Sequence, residues 1–513
     1  MNKKNLSIKE TFALAFQNHK KNKFKIAANF YNKILKVNPN HVESIFLLGS
    51  LFAETKNFYD AITLFNKTVQ IQPNHESAYY NLGLVFKEIE QFEKSISCYQ
   101  KAIQINHNYT EAHNNLGLVF VELREFQKAS HCFQKAIKID PNFFKAHNNL
   151  GNVKKELGET QEAFTCYEKV IQIRPDHANA YYNLALLSKF LGKFKKAIKY
   201  YEKALLYEPK NLVTLYDLID LKKKIIDSNL KNKIVKIMNS GNFYKKNLAY
   251  GNFLLSKYEL QLKNYEKEFN YLIKGHQCYF DSQSKKFKQG VNYWLNELPR
   301  MHALINANKP DKNIKTINSK ITPIFIIGVP RCGSTLIEKI IASGTKYIPI
   351  GEETAIFSTL IGQKVHQKEL VNLNLENFQK NVIEKYKQKG LILEKSVNIF
   401  TDKSLDNFFY IGLINKIFPG AKVINCRRNF LSSIVSIIQN NLREISWAHN
   451  LENIFKFFDI YYKKIKNFKK IYPNFIYELE FEKFINNPEI ESKKLMKFCE
   501  LPWNDKCLKF YER

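Results

Sequence analysis

The stretch GVPRCGSTLIEK, residues 328–339 of this 513-residue chain, lies directly after the apolar run PIFII. A short apolar run of this kind is typical of a buried strand. Gly328 and Gly333 have the G-x-x-x-x-G spacing of a phosphate-binding loop. Thr335 stands at the hydroxyl position of that loop, but Ser334 replaces its lysine. The stretch therefore predicts a strand, an anion-binding loop and a helix in succession.

The loop residues limit the phosphate chemistry that this site can support. A loop between a strand and a helix offers backbone N–H groups and the positive end of the helix dipole to an anion. Transfer from a nucleoside triphosphate also needs the loop lysine and magnesium ligands, which makes an ATPase a poor fit. An arginine in the loop can instead bind phosphate without a metal. The predicted metal-free anion site comprises Arg331, Cys332, Gly333, Ser334 and Thr335.

A second anion site is predicted in the segment INCRRNFLSSIVS. Arg428 follows the apolar run AKVIN, and Ser436 lies eight residues later, about two helical turns into the next helix. The chain has only eight arginines, so an arginine here indicates a need for a planar, bidentate donor. Two phosphate sites without a metal predict a nucleotide phosphorylated at two separate places. The sulfuryl donor 3′-phosphoadenosine 5′-phosphosulfate fits this description.

A 34-residue period runs through the first 210 residues. Prolines mark it, with one gap filled by His107, at Pro39, Pro73, Pro141, Pro175 and Pro209. Leu-Gly pairs recur in the same frame at 48–49, 82–83, 116–117 and 150–151. Small residues at fixed offsets allow two helices of one repeat to approach closely. The pattern resembles the tetratricopeptide repeat and predicts six repeats over residues 8–211.

The remaining sequence divides into three further parts. Residues 212–305 keep a helical period without the fixed positions, and we interpret them as degenerate repeats that cap the solenoid. Residues 306–320 are polar and aperiodic, as expected of a linker. Over 321–513, short apolar runs alternate with helical stretches, which predicts a parallel sheet with helices. The predicted fold is an all-α repeat solenoid followed by an α/β domain.

One asparagine per repeat stands at the same place on the first helix. These residues are Asn81, Asn115, Asn149 and Asn183. An amide ladder in the concave groove would resemble the way some repeat-bearing glycosyltransferases hold an extended protein substrate. The alternative is that the asparagines only cap or bridge neighbouring helices. Both interpretations predict a repeat domain that binds a protein or peptide.

Composition bears on partners and location. The formal net charge is +31, but lysine is spread along the whole chain, which favours a solvated surface over a nucleic-acid groove. The N-terminus lacks the apolar core of a signal peptide, and no run reaches the ~20 apolar residues of a membrane span. The eight cysteines contain no CxxC pair. We therefore expect a cytoplasmic protein without a nucleic-acid partner; its oligomeric state stays open.

Residues 321–513 resemble the sulfotransferases, and among them the tyrosylprotein sulfotransferase-like branch found in bacteria behind tetratricopeptide repeats. The matching motifs are PRCGSTL at 330–336, GEET at 351–354, TDK at 401–403, the Arg428 and Ser436 pair, and FEKFINNPE with LPW near the end. The resemblance implies that the first loop holds the 5′-phosphosulfate, while Arg428 and Ser436 hold the 3′-phosphate. It also implies Glu353 as general base and Lys403 as the cation that stabilises the sulfuryl group and its bridging oxygen.

The chain departs from the family pattern at several positions. They are Cys332 and Ser334 in the loop, Ala355 and Asn440 in place of arginines, and Phe481 in place of a tyrosine. Family members also continue with a serine and a lysine for the donor site beyond the position of Arg513, so we expect a domain that is short at its C-terminus.

Two functions stay open at this point. The first is a sulfotransferase that acts on a hydroxyl acceptor delivered by the repeats, and Glu353 with Lys403 favours it. The second is a repeat-based interaction scaffold with an inactive sulfotransferase-like domain, which the short C-terminus favours. Ala355 weakens the expectation of an acidic tyrosine peptide, so a protein tyrosine, a sugar or a small phenol could be the acceptor.

Overall fold

The structure, a computed structural model, describes residues 6–241, 244–307, 321–344, 348–366, 373–392 and 398–509. Most of the linker predicted at 306–320 and the chain end at Arg513 lie outside these residues. The chain divides into two units, Met1–Lys224 and Ile225–Arg513. The domain boundaries drawn from the sequence stay predictions.

Helices of the first unit come in six consecutive pairs joined by short turns. Their bounds are α1 Ile8–Lys20, α2 Phe24–Val37, α3 Val42–Glu54, α4 Phe58–Ile71, α5 Glu76–Glu88, α6 Phe92–Ile105, α7 Thr110–Glu122, α8 Phe126–Ile139, α9 Phe144–Glu156, α10 Thr160–Ile173, α11 Ala178–Phe190 and α12 Phe194–Tyr207. A thirteenth helix, α13 Leu212–Lys222, follows the last pair. The predicted solenoid of helix pairs is confirmed.

Packing within each pair explains the 34-residue period. On α5, a Cβ added at Gly83 would lie 2.7 Å from the ring of Tyr99 on α6, so a side chain there would push the helices apart. Gly151 on α9 has the same relation to Tyr167 on α10, again at 2.7 Å. Both tyrosine rings are fully buried. A glycine facing a buried ring is therefore the packing unit that recurs along the chain.

The second unit opens with helices. Their bounds are α14 Ser228–Asn239, α15 Lys245–Gln261, α16 Tyr265–Ser282, α17 Ser284–Asn292 and α18 Leu298–Ala307, with a π-helical turn at Tyr293–Glu297 between the last two. Among the described residues of the whole chain, no helix combines the length and apolar character that a bilayer span requires.

A parallel sheet forms the centre of the α/β part. Its strands are β1 Ile321–Gly328, β2 Asn398–Asp402, β3 Lys422–Arg427 and β4 Ile476–Glu480, in the order β2-β1-β3-β4. All strand pairs are parallel, which confirms the predicted α/β layer. The middle of β1, from Ile324 to Ile327, is at most 2% exposed, as expected of a strand covered on both faces.

Among the residues that the structure describes, eight α-helices surround the sheet or connect its strands. They are α19 Ser334–Ser343, α20 Ile356–His366, α21 Leu375–Gln388, α22 Ile411–Ile417, α23 Phe430–Gln439, α24 Leu451–Ile471, α25 Phe481–Asn486 and α26 Pro488–Phe498. Because the strands are parallel, their carboxyl ends share one edge, where Gly328 of β1 pairs with Cys426 of β3. Loops at this edge are the usual place for a ligand site in open α/β sheets.

Candidate functional site

The loop between β1 and α19 is the first predicted anion site. Arg331 and Gly333 have positive backbone φ angles of 70° and 94°, which turn the chain sharply before α19 begins at Ser334. A Cβ at Gly333 would lie 2.3 Å from the ring of Phe481, so the position requires glycine. The first amides of α19 have no carbonyl partner within the helix. Ser334 and Thr335 therefore stand at a helix N-terminus suited to an anion.

Cys332 differs from the other predicted loop residues because its thiol is buried. Its backbone N–H donates to the carbonyl of Val329 at 3.2 Å. A hydrogen bond donated by the Cys426 thiol lowers the pKa of Cys332, against the effect of burial, and the pKa of Cys426 is raised in turn. Cys332 thus packs beneath the surface of the loop, and its role in binding stays a prediction.

The second predicted anion site lies beside the first. Arg428 follows β3, and its guanidinium donates to the backbone carbonyl of Arg331 at 2.9 Å. Arg331 in turn donates from Nε to the hydroxyl of Ser436 on α23 at 3.2 Å. The structure therefore brings Arg331, Arg428 and Ser436 into one hydrogen-bonded cluster, although the loop and α23 are far apart in sequence.

Two departures from the family pattern surround this cluster. Asn440 donates from its amide to the backbone carbonyl of Ser436 at 2.7 Å and to its hydroxyl at 3.3 Å. The hydroxyl of Ser436 accepts from both Asn440 and Arg331, so its own hydrogen can still donate to an anion. The guanidinium of Arg428 lies 5.3 Å from the ring centroid of Phe481, within cation–π range.

Glu353 and Lys403, the predicted catalytic pair, lie together. Lys403 Nζ is 3.8 Å from Glu353 Oε1, an ion pair longer than a direct hydrogen bond. The Glu353 side chain is 69% exposed and the Lys403 side chain only 11%, so the carboxylate is the accessible partner. The backbone N–H of Lys403 also donates to the carbonyl of Glu352 at 2.6 Å, which ties the two segments together.

Sequence reasoning missed Glu338, a buried carboxylate on α19. Its Oε1 accepts hydrogen bonds from the Glu352 backbone N–H at 3.2 Å and from the Thr401 hydroxyl at 2.8 Å. Its Oε2 lies 3.9 Å from Lys403 Nζ. Burial raises the pKa of Glu338, while the Thr401 hydrogen bond and the Lys403 charge act in the opposite direction. An acidic residue within the apolar helix TLIEKIIAS was the signal that could have revealed it.

Asp402 is a second buried carboxylate that sequence reasoning missed. It accepts from the Thr354 hydroxyl and the Tyr386 hydroxyl, each at 2.6 Å. It also accepts from the Ser404 backbone and hydroxyl at 3.0 and 2.7 Å and from the Asn407 amide at 2.9 Å. Thr354 and Asp402 each adjoin a predicted catalytic residue in sequence. Asp402 therefore ties the residue that follows Glu353 to the segment that contains Lys403.

The charge at the catalytic pair is also influenced by Asp406. Burial, together with the smaller effect of the negative charges of Asp402 and Glu353, raises the pKa of the Asp406 carboxyl to about 6. Asp406 thus titrates near the range in which activity would be measured.

Within the described residues, no group of three or more His, Cys, Asp or Glu side chains is arranged to hold a metal ion.

The asparagines of the ladder form hydrogen bonds between the first helices of neighbouring repeats. The amide donors pair as Asn81 with Ser50, Asn115 with Tyr80, Asn149 with Asn114, and Asn183 with Asn152. The shortest of these bonds, from Asn115 to the Tyr80 hydroxyl, measures 2.7 Å. Each bond joins the first helix of one repeat to that of the preceding repeat. This geometry supports the interpretation that the asparagines bridge helices.

Comparisons with family models agree with this architecture. A model described as the sulfotransferase family matches residues 323–505. Models described as tetratricopeptide repeats match residues 85–124, 110–143 and 143–205. A model of subunit 3 of the anaphase-promoting complex, or cyclosome, matches residues 20–102.

Individual relatives cover parts of the chain. An uncharacterized protein of Aquifex aeolicus (strain VF5) is 28% identical over 295 residues, which are 54% of this chain and 38% of that protein. The match thus spans well under half of that relative's length. The crystal structure of MamA is 30% identical over 32% of this chain and 97% of its own, with a TM-score of 0.31. The crystal structure of YrrB, described as a TPR protein with an unusual peptide-binding site, is 21% identical over 36% of this chain and 96% of its own, with a TM-score of 0.32.

The helix pairs of the first unit, the parallel sheet of the second and the family matches lead to the same assignment. The chain carries tetratricopeptide repeats in its N-terminal part and a sulfotransferase-family domain at residues 323–505.

Proposed function

We propose that the α/β domain transfers a sulfuryl group from 3′-phosphoadenosine 5′-phosphosulfate to a hydroxyl acceptor, a protein tyrosine or a glycan. In this proposal the repeats bind a protein substrate or partner. The observation that carries it is the cluster of Arg331, Arg428 and Ser436 at the helix N-terminus of the first loop. Hydrogen-bond donors that can hold an anion converge there from two segments that the sheet brings side by side.

The residues present suit the two phosphate groups of this donor. The sharp turn at Gly333 leads into the N-terminus of α19, where backbone N–H groups can hold the 5′-phosphosulfate. Arg428 and the Ser436 hydroxyl can hold the 3′-phosphate by charge-assisted hydrogen bonds. When bound, the donor supplies an activated sulfuryl group. Asn440 in place of an arginine leaves this second site with one cation fewer than the family pattern.

In this proposal, Glu353 removes the acceptor proton and Lys403 stabilises the charge that develops during the transfer. As the acceptor oxygen forms its bond to sulfur, the exposed carboxylate of Glu353 takes the hydroxyl proton. As the bond from sulfur to the bridging phosphate oxygen breaks, the ammonium of Lys403 stabilises the charge that develops on the leaving bisphosphate. A phenol with a pKa of about 10 or a sugar hydroxyl would both need such a base.

Ala355 bears on the class of acceptor. It is exposed, lies two residues after Glu353, and its backbone N–H donates to the Ser404 hydroxyl at 2.9 Å. An alanine offers no charge to an acidic peptide at this position. Sugars and small phenols therefore stay candidates beside tyrosine.

The second candidate function is an interaction scaffold whose sulfotransferase-like domain is inactive. The reduced charge around Ser436, where Asn440 replaces an arginine, favours weak donor binding in this case. The asparagine bonds between repeats are compatible with either function, because they stabilise the solenoid whether or not the groove holds a substrate.

Two measurements test the proposal. Calorimetric titration should show binding of adenosine 3′,5′-bisphosphate without magnesium and much weaker binding of ATP. Transfer of radioactive sulfate from the donor should then label a protein pool or a glycan pool from a cell extract. Magnesium-dependent ATP turnover would contradict the proposal. Bisphosphate binding without any labelled product would favour the scaffold.

A further inference from the structure

Glu338 is the buried carboxyl group that links the anion-binding loop to the predicted catalytic pair. It lies in the second turn of α19, the helix whose N-terminus completes the loop, and its side chain is 2% exposed. The two oxygens of its carboxylate have different partners. Oε1 accepts from the Glu352 backbone and from Thr401, and Oε2 faces Lys403 at 3.9 Å.

Lys403 consequently lies between two carboxylates at nearly equal distances. Glu338 Oε2 is 3.9 Å away on the buried side, and Glu353 Oε1 is 3.8 Å away on the exposed side. Neither distance is that of a direct hydrogen bond, so the ammonium is not committed to either partner. Removing one carboxylate would leave a largely buried cation to pair with the other.

We propose that Glu338 is a positioning residue whose charge keeps Lys403 on the buried side and leaves Glu353 free to accept a proton. This inference rests on the proposed function of Glu353 and Lys403. Without the charge of Glu338, Lys403 would pair with Glu353 alone. The base and the cation would then neutralise each other, and the ammonium would move towards solvent, away from the leaving phosphate.

The two oxygens allow the electrostatic role to be separated from the structural one. In Glu338→Gln, the amide oxygen can still accept from Glu352 and Thr401, but the NH₂ group faces Lys403 without a negative charge. Thr401→Val is the matched control, because it removes a hydrogen bond to Oε1 and leaves the charge at Oε2. Circular dichroism melting verifies that each variant is folded. If Glu338→Gln does not fold, Glu338→Asp replaces it, since it keeps the charge but retracts it from Lys403.

Two readouts are measured on the full chain. The first is kcat and the donor KM in the sulfate-transfer assay with the labelled pool. The second is the rate of reductive methylation of Lys403 by formaldehyde and a borane reductant, followed by peptide mass spectrometry. We expect Glu338→Gln to lower kcat roughly 10-fold to 100-fold, by analogy with the loss of an outer-shell partner that orients a metal ligand. The donor KM should change less than about threefold, because the charge acts mainly in the transition state.

Methylation of Lys403 should be several-fold faster in Glu338→Gln than in the wild type, and Thr401→Val should change both readouts less. Wild-type kcat together with a wild-type methylation rate in Glu338→Gln would overturn the inference. An equal loss in Thr401→Val would also overturn it, because hydrogen bonding alone would then explain the effect. If the wild type transfers no sulfate, the proposed function fails, and the methylation rate alone decides whether Glu338 positions Lys403.

Discussion

The guanidinium of Arg428 donates to the backbone carbonyl of Arg331 at 2.9 Å and so joins the turn after β3 to the loop after β1. The preceding residue has a different environment. Arg427 donates to the carboxylate of Glu478 on β4 at 3.4 Å and is half exposed. Two adjacent arginines therefore belong to different parts of the surface, and only Arg428 belongs to the cluster with Ser436.

Arg428→Ala should weaken binding of adenosine 3′,5′-bisphosphate by roughly 1.5–3 kcal/mol, because a charge-assisted hydrogen bond to phosphate is lost. Arg427→Ala is the matched control and should leave the dissociation constant within about threefold, since its exposed ion pair contributes little. Isothermal titration calorimetry measures both. Equal losses in the two variants would show that the second anion site is misplaced.

Glu353→Gln should lower sulfate transfer by roughly 10²–10⁴-fold, because the amide keeps the shape of the side chain but cannot accept the acceptor proton. The affinity for the bisphosphate should barely change. Lys403→Ala should also reduce turnover, since its charge acts when the leaving phosphate develops negative charge. A Glu353→Gln variant with full turnover would exclude Glu353 as the base.

Asn149→Ala should destabilise the repeats by about 1–3 kcal/mol, because the buried Asn114 loses its donor at 3.0 Å. Asn183→Ala should cost less, as its bond to Asn152 is long at 3.5 Å. Urea denaturation followed by circular dichroism compares the two. If neither variant loses stability, the asparagines do not bridge helices in solution, and a role in the groove would gain support.

His276 on α16 and His449 before α24 form a buried pair that should make the second unit acid-labile. Their Nδ1 atoms are 2.9 Å apart, and His276 Nε2 is 2.8 Å from the Ile438 carbonyl, so both rings fit best when neutral. Burial lowers the pKa of both, that of His449 to about 3. The pKa of a histidine in the unfolded chain is about 6.5. The stability that the neutral pair contributes is therefore intact above pH 6.5 and is lost as the pH falls towards 3.

His449→Asn should therefore flatten the loss of stability between pH 6.5 and 4.5, although it lowers stability at neutral pH by leaving a small cavity. On acidification, the free energy of unfolding of the wild type should fall by about 2 kcal/mol more than that of the variant. Urea denaturation of wild type and variant at pH 7.5 and pH 4.5 provides the measurement. Parallel losses in both proteins would assign the acid lability to carboxylates elsewhere.

Features encoded within short windows were predictable from the amino-acid order. The 34-residue period reflects contacts such as that of Gly83 with Tyr99, which lie within a single helix pair. The succession of apolar run, glycine loop and helix at 328–339 likewise depends on neighbouring residues. Helical and strand periods arise from local backbone geometry, so the solenoid and the parallel sheet could both be inferred.

Contacts between distant segments depended on the tertiary structure. Arg428 bonds to Arg331, which lies 97 residues away in sequence, and Thr401 bonds to Glu338, 63 residues away. These contacts follow from the strand order β2-β1-β3-β4 and the register of the sheet. No local sequence pattern specifies either of them. The same holds for Asn149, since an amide can both donate and accept, and only the position of Asn114 on the neighbouring helix shows which bond it makes. Local pattern thus determines which elements form, whereas the long-range packing of those elements determines which side chains share a site.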